Sequence, residues 1–348
     1  MKRNRILALG LTMITACSLL AGCTSTSTDS SASSESESTE AAATSTSSDE
    51  QVVIYSNADD EAITAMSNAL DNNGYEGKYI FETFGTSELG GKLLAEGTNL
   101  EADMVTMSTF YLKSAQEQNN MFLPLTFDVD TLEEVPDYTA PITSQEGAII
   151  INTELLEENN LPTPTCLKDL ADSVYSGYLA VTDVKSSSTA WLLLQALISE
   201  YGEDEAQEIL SKIYENAGDH IESSGSAPLK LCEDGEVAVG FGLRHQAVAA
   251  KEEGLPIDYV DPTEGNFSLT ESVAVLDKGD DTNELAMEMA ECIIKNGREE
   301  LQSYYPNALY EGESSDSANK SAYPKTFSED LTFELYEHHQ EISEAAKP

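Results

Sequence analysis

The sequence predicts an α/β protein of two lobes, joined by strands that cross between them, with a ligand cleft where the lobes face. Three observations predict it. Short apolar runs alternate with amphipathic stretches from residue 51 onward, the pattern of strands separated by helices. The runs are continuous rather than alternating, as in strands buried on both faces. One run near residue 150 leaves the first α/β group, and another near 270 returns to it.

Gln51-Val52-Val53-Ile54-Tyr55-Ser56 reads as a buried parallel strand that ends in a binding loop. Residues 61–70 carry Ile63, Met66 and Leu70 at spacings of three and four, the mark of an amphipathic helix. Residues 78–84 form a second strand, closed by Gly85-Thr86-Ser87, and residues 89–96 a second helix. Ala102-Asp103-Met104-Val105-Thr106-Met107-Ser108 completes strand–helix–strand–helix–strand, which implies right-handed crossovers on a parallel sheet.

Gly147-Ala148-Ile149-Ile150-Ile151-Asn152 is the next buried strand, and Pro162 and Pro164 open a fresh segment. Residues 178–183 form a strand with a Ser/Thr-rich exit, followed by a helix over 190–201. Residues 236–241 form a strand that leads into a helix around 246–253. Ser272-Val273-Ala274-Val275-Leu276 is a returning strand, and residues 287–295 and the region after Phe327 are helical. The expected lobes are residues 51–147 plus 268–300, and residues 148–267 plus 301–348. Ligands of open parallel sheets sit beyond the carboxyl ends of the strands. Two such sheets face to face make a cleft that closes on its guest.

The first fifty residues read as an address. Lys2, Arg3 and Arg5 precede a short apolar run that ends in Leu20-Ala21-Gly22-Cys23. The run is too short to span a bilayer ~30 Å thick, so residues 1–22 are expected to be a secretory signal. Cleavage before Cys23 leaves a thiol at the new N-terminus for lipid attachment; an ordinary signal peptide with a chance cysteine is the alternative. Residues 24–50 are Ser, Thr, Ala, Glu and Asp throughout. Such a stretch cannot offset an ordering cost of ~1–2 kcal/mol per residue and is expected to be a flexible tether. The expected location is extracytoplasmic, lipid-anchored to the cell membrane.

The formal net charge is −45, a field that repels nucleic acid and anionic lipid headgroups. Any anionic ligand must therefore be met by local donors. Cys166, Cys232 and Cys292 are far apart, and His220, His245, His338 and His339 lie outside zinc-type spacings. Neither a metal nor a cofactor is expected.

Several segments together resemble the family-1 extracellular solute-binding proteins of ABC importers. The likeness rests on Val53-Ile54-Tyr55-Ser56, Gly85-Thr86-Ser87-Glu88-Leu89, Ala102-Asp103-Met104-Val105 and Ser187-Ser188-Thr189-Ala190-Trp191, followed by Ser224-Gly225-Ser226-Ala227, residues 235–240 and Pro262-Thr263-Glu264-Gly265. The branch is similar to the one whose members bind ferric iron, thiamine, 2-aminoethylphosphonate or sugar phosphates. The resemblance implies a type II periplasmic-binding-protein fold, a small ligand and the transmembrane subunits of an ABC permease as partner. A monomer is expected.

Ferric binders of this branch carry adjacent tyrosines after the strand that matches residues 237–241. Here that place holds Gly242-Leu243-Arg244-His245. Arg244 has no lone pair for a metal, but its planar fork suits two oxygens of a phosphate, phosphonate or carboxylate. The expected ligand-binding set adds Ser56, Thr86, Ser87, Ser108, Ser187, Ser188, Thr189, Ser224, Gly225 and Ser226, because turns that open helices aim free N–H groups at an anion. His245 is a second donor, and Glu264 is placed to meet an ammonium group. The competing readings are a surface ion pair for Arg244, a helix-entry role for His245, a solvated turn for Glu264 and N-caps for the hydroxyls. Tyr304 and Tyr305 are read as packing, and Trp191 as core. The expected function is capture of a small phosphonate or phosphorylated compound, with 2-aminoethylphosphonate as the leading case. Ferric iron and thiamine are the alternatives. An enzyme is disfavoured, since no G-x-S-x-G occurs and no histidine has an obvious partnered serine. A surface adhesion protein is the remaining rival.

Overall fold

The computed structural model describes residues 51–315 and 317–348; the expected signal peptide, the tether and Cys23 lie outside the described residues. The chain opens with β1 (Val52–Ser56), α1 (Asp60–Leu70), β2 (Tyr79–Thr83), α2 (Thr86–Glu96), β3 (Met104–Ser108) and α3 (Thr109–Asn119). β1 pairs in parallel with β2 on one side and β3 on the other, as the apolar runs predict. Next come β4 (Ala140–Asn152), α4 (Thr153–Glu158), β5 (Leu179–Thr182), α5 (Ser188–Tyr201) and α6 (Glu203–Ala217). β6 (Ile221–Glu222), α7 (Ala227–Glu233), β7 (Val239–Leu243), α8 (Arg244–Glu252) and β8 (Ile257–Val260) complete the second group, in which β5 runs parallel to both β6 and β7. The chain then returns through β9 (Asn266–Val275), α9 (Glu284–Tyr304), β10 (Pro324–Lys325) and α10 (Phe333–Ala346).

Two long strands join the lobes. β9 pairs antiparallel with β3 at its carboxyl end and with the first half of β4 alongside. The second half of β4 pairs with β7 over Gly147 to Ile151 and with β8 over Ile149 to Asn152. β4 therefore belongs to both sheets, and the strand order runs β2-β1-β3-β9-β4-β7-β5-β6. β4 is longer than the apolar run that announces it. Residues 140–146 are partly polar, and the register shifts between Pro141 and Thr143. A proline has no N–H for the ladder, so it interrupts the regular pattern there.

The first lobe buries Met66 and Leu70 of α1 against Ile293 and Met289 of α9. Leu301 and Tyr305 lie in the same core, so the expected lobe boundary at residue 300 falls inside α9. α10 corrects a second expectation. It packs on α3 of the first lobe as well as on α5 and α6 of the second. Tyr336 sits 5.4 Å from the Phe110 ring and 4.8 Å from Trp191, so the tail belongs to both lobes. Trp191 is fully buried, and its indole N–H donates to His339 Nδ1 at 2.7 Å. It is a core residue.

α2 and α3 meet at Gly90, where an added Cβ would lie 2.1 Å from Cε1 of the buried Tyr111 ring. Only a glycine lets the two helices approach so closely. Gly90→Val is expected to destabilise the fold by about 2 kcal/mol through overpacking. A thermal melt checks this; an unchanged midpoint would mean that the two helices are not in contact there.

Candidate functional site

A cleft of about 260 Å³ opens between the lobes. The first-lobe wall is made where strands turn into helices. Asn57, Ala58 and Asp59 come from the turn into α1, and Phe84, Gly85 and Thr86 from the turn into α2. The second-lobe wall comes from the turn into α5, residues 186–189, and from the loop before α7, residues 223–226. Thr143 and Gln145 of β4 and Glu271 of β9 stand between the walls, with Leu243 and Tyr305. The crossing strands thus supply both the hinge and part of the lining.

Local chemistry fixes these turns. The Ser56 hydroxyl accepts from the Thr106 hydroxyl at 2.7 Å and from the Ala58 N–H at 3.0 Å, which sets the entry to α1. Asp59 caps that helix through the Ala62 N–H. Ser187 caps α5 through the Thr189 N–H at 3.3 Å. Gly85 precedes α2 and offers no side-chain cap. The first-turn N–H groups of a helix have no intrahelical partner, and the positive end of the helix dipole lies there. Gly225 comes so near the α5 entry that a Cβ would sit 2.1 Å from Thr189 Oγ1, so the loop before α7 can seat only a glycine at this point.

Of the expected ligand residues, the structure brings Thr86, Ser187, Ser188, Thr189, Ser224, Gly225 and Ser226 to the cleft. Three others stand behind it. Ser56 orders the α1 entry as described. Ser108 donates to Glu271 Oε1 at 2.7 Å, and Ser87 donates across the lobes to the Lys185 carbonyl at 2.5 Å.

Arg244, His245 and Glu264 are corrections. The Arg244 side chain is buried and saturated: Nε and Nη2 donate to the two oxygens of Asp261 at 2.7 and 3.2 Å. Nη1 and Nη2 also donate to the carbonyls of Ala318 and Lys320, and the guanidinium lies 4.7 Å from the Tyr259 ring. Leu243 takes the cleft-facing place, and the chain turns into α8 with Arg244 directed away from it. The His245 ring packs 4.8 Å from the Tyr305 ring, and burial pushes its pKa down to about 4, so it is neutral near pH 7. Glu264 is buried in the second lobe, where it accepts from the N–H groups of Leu167 and Lys168 and from the Tyr201 hydroxyl. It caps a short helical turn rather than meeting a ligand.

The sequence reading missed Asn57, Asp59, Glu271 and Tyr305. Only Asp59 carried a local signal, as an N-cap aspartate before an amphipathic run. Tyr304 and Tyr305, both read as packing, differ: Tyr304 is 42% exposed, whereas Tyr305 packs in the first-lobe core, reaches the cleft and donates to Asp59 Oδ1.

None of the cleft-lining residues is Lys, Arg or His; the ionisable ones are Asp59, Glu271 and Tyr305. Burial raises the Asp59 pKa above its ordinary value. Burial also pushes Glu271 up to about 7, with the nearby Asp59 charge adding to the shift. Burial and the Asp59 carboxylate hold the Tyr305 phenol in its protonated form. Among the described residues, no group of three or more His, Cys, Asp or Glu side chains is placed to hold a metal ion.

Two outcomes follow from this geometry. Arg244→Ala leaves Asp261 buried without its partner and is expected to cost about 3–5 kcal/mol of stability. Denaturant unfolding measures it, and a loss below about 1 kcal/mol would contradict the saturated geometry. Glu271 makes stability depend on pH. Between its ordinary 4.5 and about 7, the unfolded chain releases a proton that the folded chain keeps. Stability therefore falls as pH rises through that window and levels off above it. Glu271→Gln is expected to remove a component of roughly 3 kcal/mol from the profile. Unfolding of both proteins at pH 5 and pH 8 tests this, and parallel profiles would refute it.

Comparison with known proteins places this architecture. The family described as bacterial extracellular solute-binding protein matches residues 65–297. An uncharacterised protein of Haemophilus influenzae is 25% identical over 214 residues, 58% of this chain and 61% of its own length. The match thus spans less than two-thirds of that relative. The periplasmic binding protein AfuA from Actinobacillus pleuropneumoniae, with exogenous fructose-6-phosphate bound, superposes with a TM-score of 0.68 at 20% identity, covering 84% of this chain and 96% of that one. Iron-bound HitA from Pseudomonas aeruginosa gives a TM-score of 0.68 at 17% identity, over 85% of this chain and 99% of that one. The two lobes and their crossing strands are those of the type II periplasmic-binding-protein fold. With the match running from α1 into α9, through both lobes and the cleft between them, the chain belongs to the family of bacterial extracellular solute-binding proteins.

Proposed function

We propose that this chain is the substrate-binding lipoprotein of an ABC importer, which captures a small phosphonate or phosphorylated compound and delivers it to the permease. 2-Aminoethylphosphonate is the leading case. In this reading the protein is held at the outer face of the cytoplasmic membrane by lipid on Cys23, works as a monomer and catalyses no reaction.

The observation that carries the reading is the hydroxyl shell of the cleft. Nine of its lining residues are Ser or Thr, and all but Thr143 cluster at the entries to α2 and α5 and in the loop before α7. A tetrahedral oxyanion accepts hydrogen bonds from many directions. Hydroxyls and first-turn N–H groups supply such donors without a formal charge. The bound fructose-6-phosphate of the AfuA structure supports a phosphorylated guest.

The other members of the lining narrow the class. With Asp59 and Glu271 present and no cationic side chain, a bare dianion meets repulsion. A compound with its own positive charge brings the missing counterion. Thiamine asks for stacking surfaces, and the lining offers only Phe84 and Tyr305. Ferric iron asks for paired phenolates, whereas Tyr305 is the one tyrosine in the lining and Tyr304 is exposed.

Calorimetry on the soluble form, titrated with 2-aminoethylphosphonate, fructose-6-phosphate, inorganic phosphate, thiamine and ferric citrate, tests the reading. Binding is expected from the phosphonate or the phosphate ester, and Gly225→Val is expected to weaken it by about tenfold or more, roughly 1.4 kcal/mol. Heat from thiamine or ferric citrate alone would overturn the assignment.

A further inference from the structure

We propose that Ser87 is a positioning residue, a latch that fixes the cleft-facing turn of the second lobe onto the first and so sets how fast a guest leaves. This rests on the reading of the cleft as the guest's site, but not on which guest it holds.

The turn between β5 and α5 is anchored at three successive residues by groups distant in sequence. Lys347, just past α10, pairs with Asp183 Oδ1 at 3.0 Å. The Tyr336 hydroxyl of α10 donates to the Val184 carbonyl. Ser87 of α2 donates to the Lys185 carbonyl at 2.5 Å and accepts from Gln340 Nε2 of α10 at 3.2 Å. Of the three anchors, Ser87 alone stands on a helix of the first lobe's opening βα units.

What the anchors hold is part of the binding surface. The Asp183 carboxylate accepts from the Lys185 N–H and from the Ser186 hydroxyl, each at 3.2 Å. Its carbonyl accepts from the N–H groups of Ser186 and Ser187. The turn is thereby closed on itself, so a shift at residue 185 carries residues 186–189, which line the cleft. On the opposite wall Gly85 and Thr86 line the cleft, and Ser87 is the next residue. The bond from Ser87 to Lys185 thus joins the two walls one residue beyond the lining on each side. It exists only while the lobes are together.

Ser87 is half-buried and Lys185 exposed, so water replaces each partner when the lobes part. The net worth of such a bond corresponds to about two- to tenfold in the closing equilibrium. A guest enters while the lobes are apart and the bond is unmade, and it leaves only after the bond breaks. The latch therefore acts on dissociation and leaves association unchanged.

Two measurements on Ser87→Ala and Ser87→Thr test this, with melting midpoints as the control for folding. Hydrogen exchange in the ligand-free proteins is expected to quicken at residues 183–189 in Ser87→Ala by about two- to tenfold, and to stay at the original rate in Ser87→Thr, which keeps the hydroxyl. Chase of labelled 2-aminoethylphosphonate or fructose-6-phosphate is expected to show release about fivefold faster from Ser87→Ala, with the association rate unchanged. Gln340→Ala, combined with Ser87→Ala, should add little to that effect, since both act through one hydroxyl. Exchange at residues 183–189 that is the same in Ser87→Ala as in the unaltered protein would overturn the latch. So would slower association with unchanged release, the signature of a side chain that touches the guest. If neither compound binds, the phosphonate and phosphate-ester reading falls, and the exchange rates still decide the latch.

Discussion

A single strand that pairs in two sheets is the constraint on which this architecture depends. The first half of β4 answers to β9, and its second half answers to β7 and β8. The two halves must satisfy different surroundings, and the residues show it. Residues 147–152 are almost wholly apolar because they are covered on both faces. In residues 140–146, Thr143 and Gln145 face the ligand space, so the apolar pattern breaks there. Hinge and binding surface are one piece of backbone.

The electrostatics of the cleft follow from what this framework can place there. Six of the segments that reach the space are turns into helices, crossing strands or a glycine-bearing loop, and the helix-opening turns favour small hydroxylated residues as caps. Charged partners have been taken up elsewhere. The guanidinium of Arg244 is spent on Asp261 and two carbonyls, and that of Arg298 on Glu313, the Ile142 carbonyl and the Asn307 carbonyl. These buried pairs tie the 306–322 segment to the lobes. What remains at the cleft is a neutral shell on one side and two protonation-sensitive carboxyls on the other.

The βα order was legible because each strand is a compact apolar run and each helix keeps its three-and-four spacing within one stretch. The hydroxyl-rich turns into α2 and α5 and the loop before α7 were legible for the same reason: they directly follow or precede such elements. Arg244 was misread because its partners come from 17, 74 and 76 residues away, and nothing local announces them. Glu264 finds its N–H donors almost a hundred residues upstream. Glu271 and Tyr305 owe their roles to tertiary placement. One sits in a strand flanked by other polar residues, and the other lies just past the end of a long helix, where only packing decides which of two adjacent tyrosines turns inward.

α10 lies across both lobes, with Tyr336 wedged between Phe110 and Trp191 and Gln340 reaching Ser87. To part the lobes, this tail must slide off one of its two supports and wet an aromatic surface that is now dry. The apparent affinity of the receptor is then the intrinsic affinity of the cleft offset by the work of that sliding. Substitutions along the outer seam of the tail would retune capture and release with no change to any residue that the guest touches.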